Sequence, residues 1–309
     1  MPKNSKLPGS LHFRSLLLLG TSCATLAISM GGPVRAQSVT VGDTYSLRSG
    51  ATTTNSGGPA GSADLLPNAS NGSNDSIFGH DYGTAGGTFG TRSSGGGIYD
   101  ITGFSEETQT FTNTTGAASA YRLTYTLENG QVGVSAGPNS SGAQNAILSA
   151  MIKATQGSTT TTLLSYGVSL AFDSVSHITP VFSESGLVLN AAGPSLSADN
   201  GSYSWNTFTA TLDLGILAPG ASVLVDYTLQ SHASGTTPFT GGVILTATVG
   251  YGGYGGFTDG GTAVARFGDP FVGSGSPFVV FAAVPEPASL AVLGAGLAGL
   301  ALGRRRRRA

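Results

Sequence analysis

The sequence holds one cysteine, Cys23, and it lies near the start of a 309-residue chain. If export removes the first segment, the mature protein has no thiol, which excludes disulfides, Cys-ligated metals and a cysteine nucleophile. A body of roughly 250 residues must then rely on its core, and that length suffices for one. Charge is scarce too: Asp, Glu, Lys and Arg make up 10% of the residues, where about 25% is ordinary. Signatures of catalysis are thin. There is no His-Glu-x-x-His and no Gly-x-x-x-x-Gly-Lys loop, and no nucleophilic-serine elbow is recognised. No cofactor, metal or catalytic residue is expected.

What is present begins with an export signal. Lys3, Lys6 and Arg14 precede an apolar run from Leu16 to Met30, and Val34-Arg35-Ala36 stands before Gln37. A basic head, an apolar segment and small residues at the third and first positions before a cut describe a secretory signal peptide over 1–36. The Sec export machinery and signal peptidase are its implied partners, with the cut between Ala36 and Gln37. A transmembrane anchor is the competing reading, but Gly20, Thr21, Ser22 and Thr25 interrupt a run already shorter than the ~20 apolar residues of a span. A lipoprotein signal at Cys23 is a further alternative, with Gly20 where Leu is usual.

Between the two ends only five basic residues remain: Arg48, Arg92, Arg122, Lys153 and Arg266. Fifteen Asp and Glu stand against them, a net of −10 for residues 37–283. Such a body repels nucleic acid.

Alternation of period two is the strongest structural signal. Tyr121, Leu123, Tyr125 and Leu127 alternate with Arg122, Thr124, Thr126 and Glu128, so an extended chain has one apolar and one polar face. The same pattern recurs at Tyr166–Phe172, Phe208–Leu214, Val223–Leu229 and Val243–Val249. Asn129-Gly130 reads as a hairpin turn into a second strand through Val132 and Val134. Pro219-Gly220 reads as a type II turn. Ile147, Leu148, Met151 and Ile152 fit strand or helix, with a lean to strand. Together these predict an all-β, antiparallel β-sandwich. Residues 49–97, dominated by Gly, Ser, Thr and Asn, predict a long, partly mobile loop region that buries too little apolar surface to order itself.

The last 26 residues, 284–309, fall into three parts. Val284-Pro285-Glu286-Pro287 is an extended linker, because proline restricts both itself and its predecessor. The uncharged segment 288–303 is about 24 Å long as a helix at 1.5 Å per residue, short against a ~30 Å hydrocarbon core. Arg304, Arg305, Arg306, Arg307 and Arg308 stop transfer and stay cytoplasmic. The reading is a C-terminal single transmembrane helix with the body outside. Ala291, Ala295, Gly299 and Gly303 form a small-residue stripe along it.

This tail resembles the PEP-CTERM sorting signal: Pro-Glu-Pro, a short apolar helix, and a terminal basic cluster. Gly268-Asp269-Pro270-Phe271 is a weaker echo of the same proteins. The resemblance implies a Gram-negative bacterium, an exosortase that processes the tail, and a transient stay in the inner membrane before release to the cell surface or outside. It also implies an association with exopolysaccharide and biofilm. A permanent single-span anchor is the plainer alternative.

Two functions follow as expectations. One is a non-enzymatic structural or adhesive component of the cell surface or extracellular matrix. The other is a carbohydrate-binding or carbohydrate-active protein with Trp205, Tyr251, Tyr254 and Phe257 as aromatic platforms. His80-Asp81 reads as a solvated loop pair, and Glu106-Glu107 as carboxylates on opposite strand faces.

Overall fold

Alternating side chains become pleated faces in a computed structural model. It describes residues 36–48, 50–71, 75–84, 89–135, 142–172, 180–198, 200–236, 262–267 and 278–282, with backbone only at 36 and 278–282. The chain divides into a unit Met1–Gly31, outside the described residues, and a unit Gly32–Ala309 that holds every described strand.

Every strand pairing is antiparallel, and no helix occurs among the described residues. One sheet runs in the order β12 (Val181–Ser185), β11 (Thr159–Phe172), β10 (Gln144–Gln156), β16 (Ser222–Thr236), β7 (Ile98–Thr112), β1 (Ala36–Leu47), β2 (Thr53–Ala60). A second runs β13 (Ser195–Ser197), β14 (Asn200–Trp205), β9 (Gly130–Ser135), β17 (Thr262–Phe267), β6 (Phe89–Gly96), β5 (Ser76–Thr84), β3 (Ser62–Leu65), with β4 (Asn68–Ser70) also on β5. The third is β15 (Phe208–Leu217), β8 (Ser119–Leu127), β18 (Phe278–Ala282).

The first two sheets face each other across one core. Phe89 of β6 meets Tyr227 of β16 with ring centroids 5.3 Å apart, and Tyr166 of β11 meets Trp205 and Phe267 at 5.8 and 6.4 Å. Tyr121, Leu123, Tyr125 and Leu127 are all buried, as are Val223, Val225, Tyr227 and Leu229, so the alternation read in the sequence is the core pattern. Residues Ile147–Ile152 lie in β10, with Leu148 and Ile152 buried and Ile147 facing out. The run Val243–Val249 lies outside the described residues.

Two expectations are corrected here. Residues 49–97 are not a loop region: β2, β3, β4, β5 and β6 occupy most of it. Small residues fit these strands because the facing sheet supplies the bulk. The Tyr99 ring lies where a side chain on Gly95 would stand, and Pro67 and Ile101 close over Gly79. Core volume is filled from one side, and the backbone ladder is satisfied all the same.

Asn129-Gly130 does not close a hairpin either. β8 and β9 belong to different sheets, with Leu127 opposite Phe208 and Gly130 opposite Trp205. The order β15-β8-β18 continues β14-β9-β17, so the third sheet prolongs the second beyond a bend at Glu128-Asn129 and Asn206-Thr207. Trp205 packs into that bend. Its indole covers Gly130, where any Cβ would overlap the ring, and its Nε1 donates to the Glu128 carbonyl at 3.1 Å. Pro219-Gly220 does form the expected turn, with Gly220 at φ +75° and the Ala221 amide donating to the Ala218 carbonyl at 3.0 Å. It links β15 to β16 in another sheet rather than joining paired strands.

Candidate functional site

The sequence-predicted sites lie at the two ends. Ala36 opens β1, and Gln37 pairs with Gln109 of β7. Pro285, Glu286, Pro287, Arg304, Arg305, Arg306, Arg307, Arg308 and the segment 288–303 lie outside the described residues. No helix among the described residues is long and apolar enough to cross a membrane. Of the aromatic platforms, Trp205 is a core residue, 4% exposed, while Tyr251, Tyr254 and Phe257 lie outside the described residues.

The core itself holds acids. β7 carries Ser105, Glu107 and Gln109 on its inward face, between Ile101 and Phe111, because strand parity puts the odd positions from 101 to 111 on one side. Glu107 Oε1 accepts from the side-chain amides of Gln109, at 2.6 Å, and Gln37. Burial outweighs these donors and pushes the carboxyl up to about 7. Glu106 points to the other face, as expected of its neighbour.

His80-Asp81 is not a solvated loop pair: both residues are buried on β5, facing opposite ways. Asp81 enters the core and accepts from Thr91 Oγ1. The Thr91 and Ser93 hydroxyls in turn meet the Ser231 hydroxyl of the opposite sheet at 2.7 and 2.8 Å. Burial raises the Asp81 pKa well above its ordinary value, and the nearby Asp43 adds to the rise. Asp43, itself buried, accepts from Asn55 Nδ2 at 2.8 Å. Closed from solvent, these acids leave a substrate no approach, and the hydroxyl bonds of Thr91 and Ser93 to Ser231 tie the two sheets together.

The outward face of the second sheet is more open. Register places Ser204, Gln131, Arg266, Arg92 and His80 side by side in one row across β14, β9, β17, β6 and β5. Two residues along the strands, the next row is Ser202, Gly133, Val264, Ser94 and Phe78. The Arg92 guanidinium stands 4.9 Å over the Phe78 ring. Burial and the Arg266 charge lower its pKa to about 10. His80 Nε2 lies 2.9 Å from Asp64 Oδ1. Beside Gln131, a concavity of about 220 Å³ is lined by Ser135, Asn200, Ser202, Thr262 and Val264.

The arginine pair escaped sequence reasoning because only strand order brings positions 92 and 266 together. One letter pattern was also missed: Gly133-Val134-Ser135-Ala136-Gly137 does fit Gly-x-Ser-x-Gly. A nucleophile elbow needs a sharp strand-to-helix turn. Ser135 instead ends β9, paired on both sides with Asn200 and Thr262, and neither its row nor the next holds a histidine or carboxylate.

No curated protein matches the chain. A family model does match its end: residues 283–308 fit the PEP-CTERM protein-sorting motif. The chain therefore carries, at its C-terminus, the sorting motif of exosortase-processed proteins, consistent with export to the cell surface.

Proposed function

We propose that this protein is exported, inserted briefly by its C-terminal segment, cut at Pro285-Glu286-Pro287 by an exosortase, and delivered to the surface as a non-enzymatic structural or adhesive component of an exopolysaccharide matrix. The sorting motif at 283–308 carries the reading. The chemistry of the body supports it. A thiol-free β body with a Ser, Thr, Asn and Gly surface suits an extracellular matrix, and its −10 charge keeps it soluble. A second reading, carbohydrate binding by the same body, is favoured by the polar concavity beside Gln131 rather than by an aromatic platform.

The test replaces Pro285, Glu286 and Pro287 together by alanine. Hydrophobicity and the arginine stop are unchanged, so export and insertion continue. Immunoblots of membrane and surface fractions should show the full-length form accumulating in the membrane. Bands and fractionation identical to wild type would leave an ordinary single-span surface protein.

A further inference from the structure

Five cations serve the whole body, and their placement is uneven. Arg48 pairs with Asp75, Arg122 Nε lies 2.9 Å from Asp213 Oδ1, and Lys153 sits opposite Asp226 and close to Glu106. The remaining two, Arg92 and Arg266, stand opposite each other on adjacent strands. Like charges in that relation destabilise a sheet pair. Neither guanidinium is paired with a carboxylate among the described residues, in a body with three acids for every base. Arg92 Nε is buried and has no hydrogen-bond partner among the described residues. Asp64, opposite Tyr82 on the neighbouring strand, is engaged by His80.

We propose that the Arg92–Arg266 pair and the adjoining concavity bind an acidic polysaccharide, a chain of uronate sugars. An anion placed between two guanidiniums removes their repulsion and takes the planar fork of donors that carboxylates fit. One strand away, roughly 4.8 Å, Gln131 begins the concavity, where Ser135, Asn200, Ser202 and Thr262 offer hydroxyl and amide groups to a polyol. Charge on one side and hydroxyl partners on the other match a sugar acid better than a bare anion or a neutral glycan. Phe78, under Arg92, holds the guanidinium in place by stacking against it. The net charge of −10 repels polyanions everywhere else, so binding is confined to this row. The proposal deepens the matrix-protein reading above and rests on it.

The test uses the mature protein recovered from its host surface, with polygalacturonate as probe and its methyl ester, dextran and inorganic sulfate as comparisons. Polygalacturonate should bind, and the ester and dextran should bind at least about tenfold more weakly, since the charge-assisted contacts are lost. Arg266→Gln should lower affinity for polygalacturonate about tenfold and flatten its salt dependence. Arg266→Lys should recover only part, because charge without the fork is retained. Arg122→Gln, on the third sheet and paired with Asp213 away from this row, should change nothing. Equal binding of the ester, full displacement by millimolar sulfate, or unaltered affinity in Arg266→Gln with an unchanged melting temperature would overturn the site. Fractionating the same variants separates the two readings. Normal surface delivery without binding defeats this inference alone, whereas loss of surface delivery in the wild type defeats the matrix role itself.

Discussion

Gly130 and Glu107 show how much one residue decides. At Gly130 the Trp205 ring occupies the space a side chain would need, and Trp205 also anchors the Glu128 carbonyl. Gly130→Ala should therefore push the indole out of register and cost about 1–3 kcal/mol, the usual range for overpacking a filled core. Thermal or denaturant unfolding reads this directly, and an unchanged midpoint would mean the indole does not fill that space. At Glu107 the folded pKa, pushed up to about 7, exceeds the ordinary 4.5. The folded state thus binds the extra proton, so its contribution to stability is full below about pH 4.5 and is lost as pH rises to 7. Asp81 and Asp43 are raised in the same direction. The melting temperature should fall between pH 5 and pH 8. Glu107→Gln keeps an oxygen for the Gln37 and Gln109 amides, and should flatten the profile and gain up to about 3 kcal/mol above pH 7. A wild-type profile that rises over this window would show that Glu107 is ionised in the fold.

Among elements, the glycine-rich strands β2 to β6 make the sharpest contrast with expectation. They pair in both principal sheets, with β2 on β1 and β5 on β6, so residues 49–97 are part of the body rather than a loop attached to it. Limited proteolysis of the native protein should leave much of this region protected along with Tyr121–Leu229, at least from Ser76 to Gly96. Early cleavage within β5 or β6 would restore the loop reading. Composition misled because it counts the apolar atoms of a segment and not those of its partner. Gly79, Gly83 and Gly95 are covered by Ile101, Val39 and Tyr99, residues far from them in sequence or on another sheet. The hairpin expected at Asn129-Gly130 failed for a related reason. A turn dipeptide permits two strands to fold back on each other, but here Val132 and Val134 are buried in the second sheet, on β9 between β14 and β17.

For the whole molecule, the sequence by itself determined that the body is antiparallel β structure, since period-two burial at Tyr121–Leu127, Tyr166–Phe172 and Val223–Leu229 needs no partner to be legible. It also determined the sorting tail, a contiguous signal of Pro-Glu-Pro, apolar segment and arginines that depends on order along the chain alone. Adjacent opposite-facing carboxylates at Glu106-Glu107 and the turn at Pro219-Gly220 were likewise local geometry. Only the tertiary structure decided which strands neighbour which. Hence it alone placed Arg92 opposite Arg266, brought the Thr91 hydroxyl to Asp81 and the Gln37 amide to Glu107, and set the Trp205 ring over Gly130. The physical reason is that cross-strand contacts join residues as far as 174 positions apart for Arg92 and Arg266 and 176 for Thr91 and Phe267, and no local propensity encodes a distance of that kind.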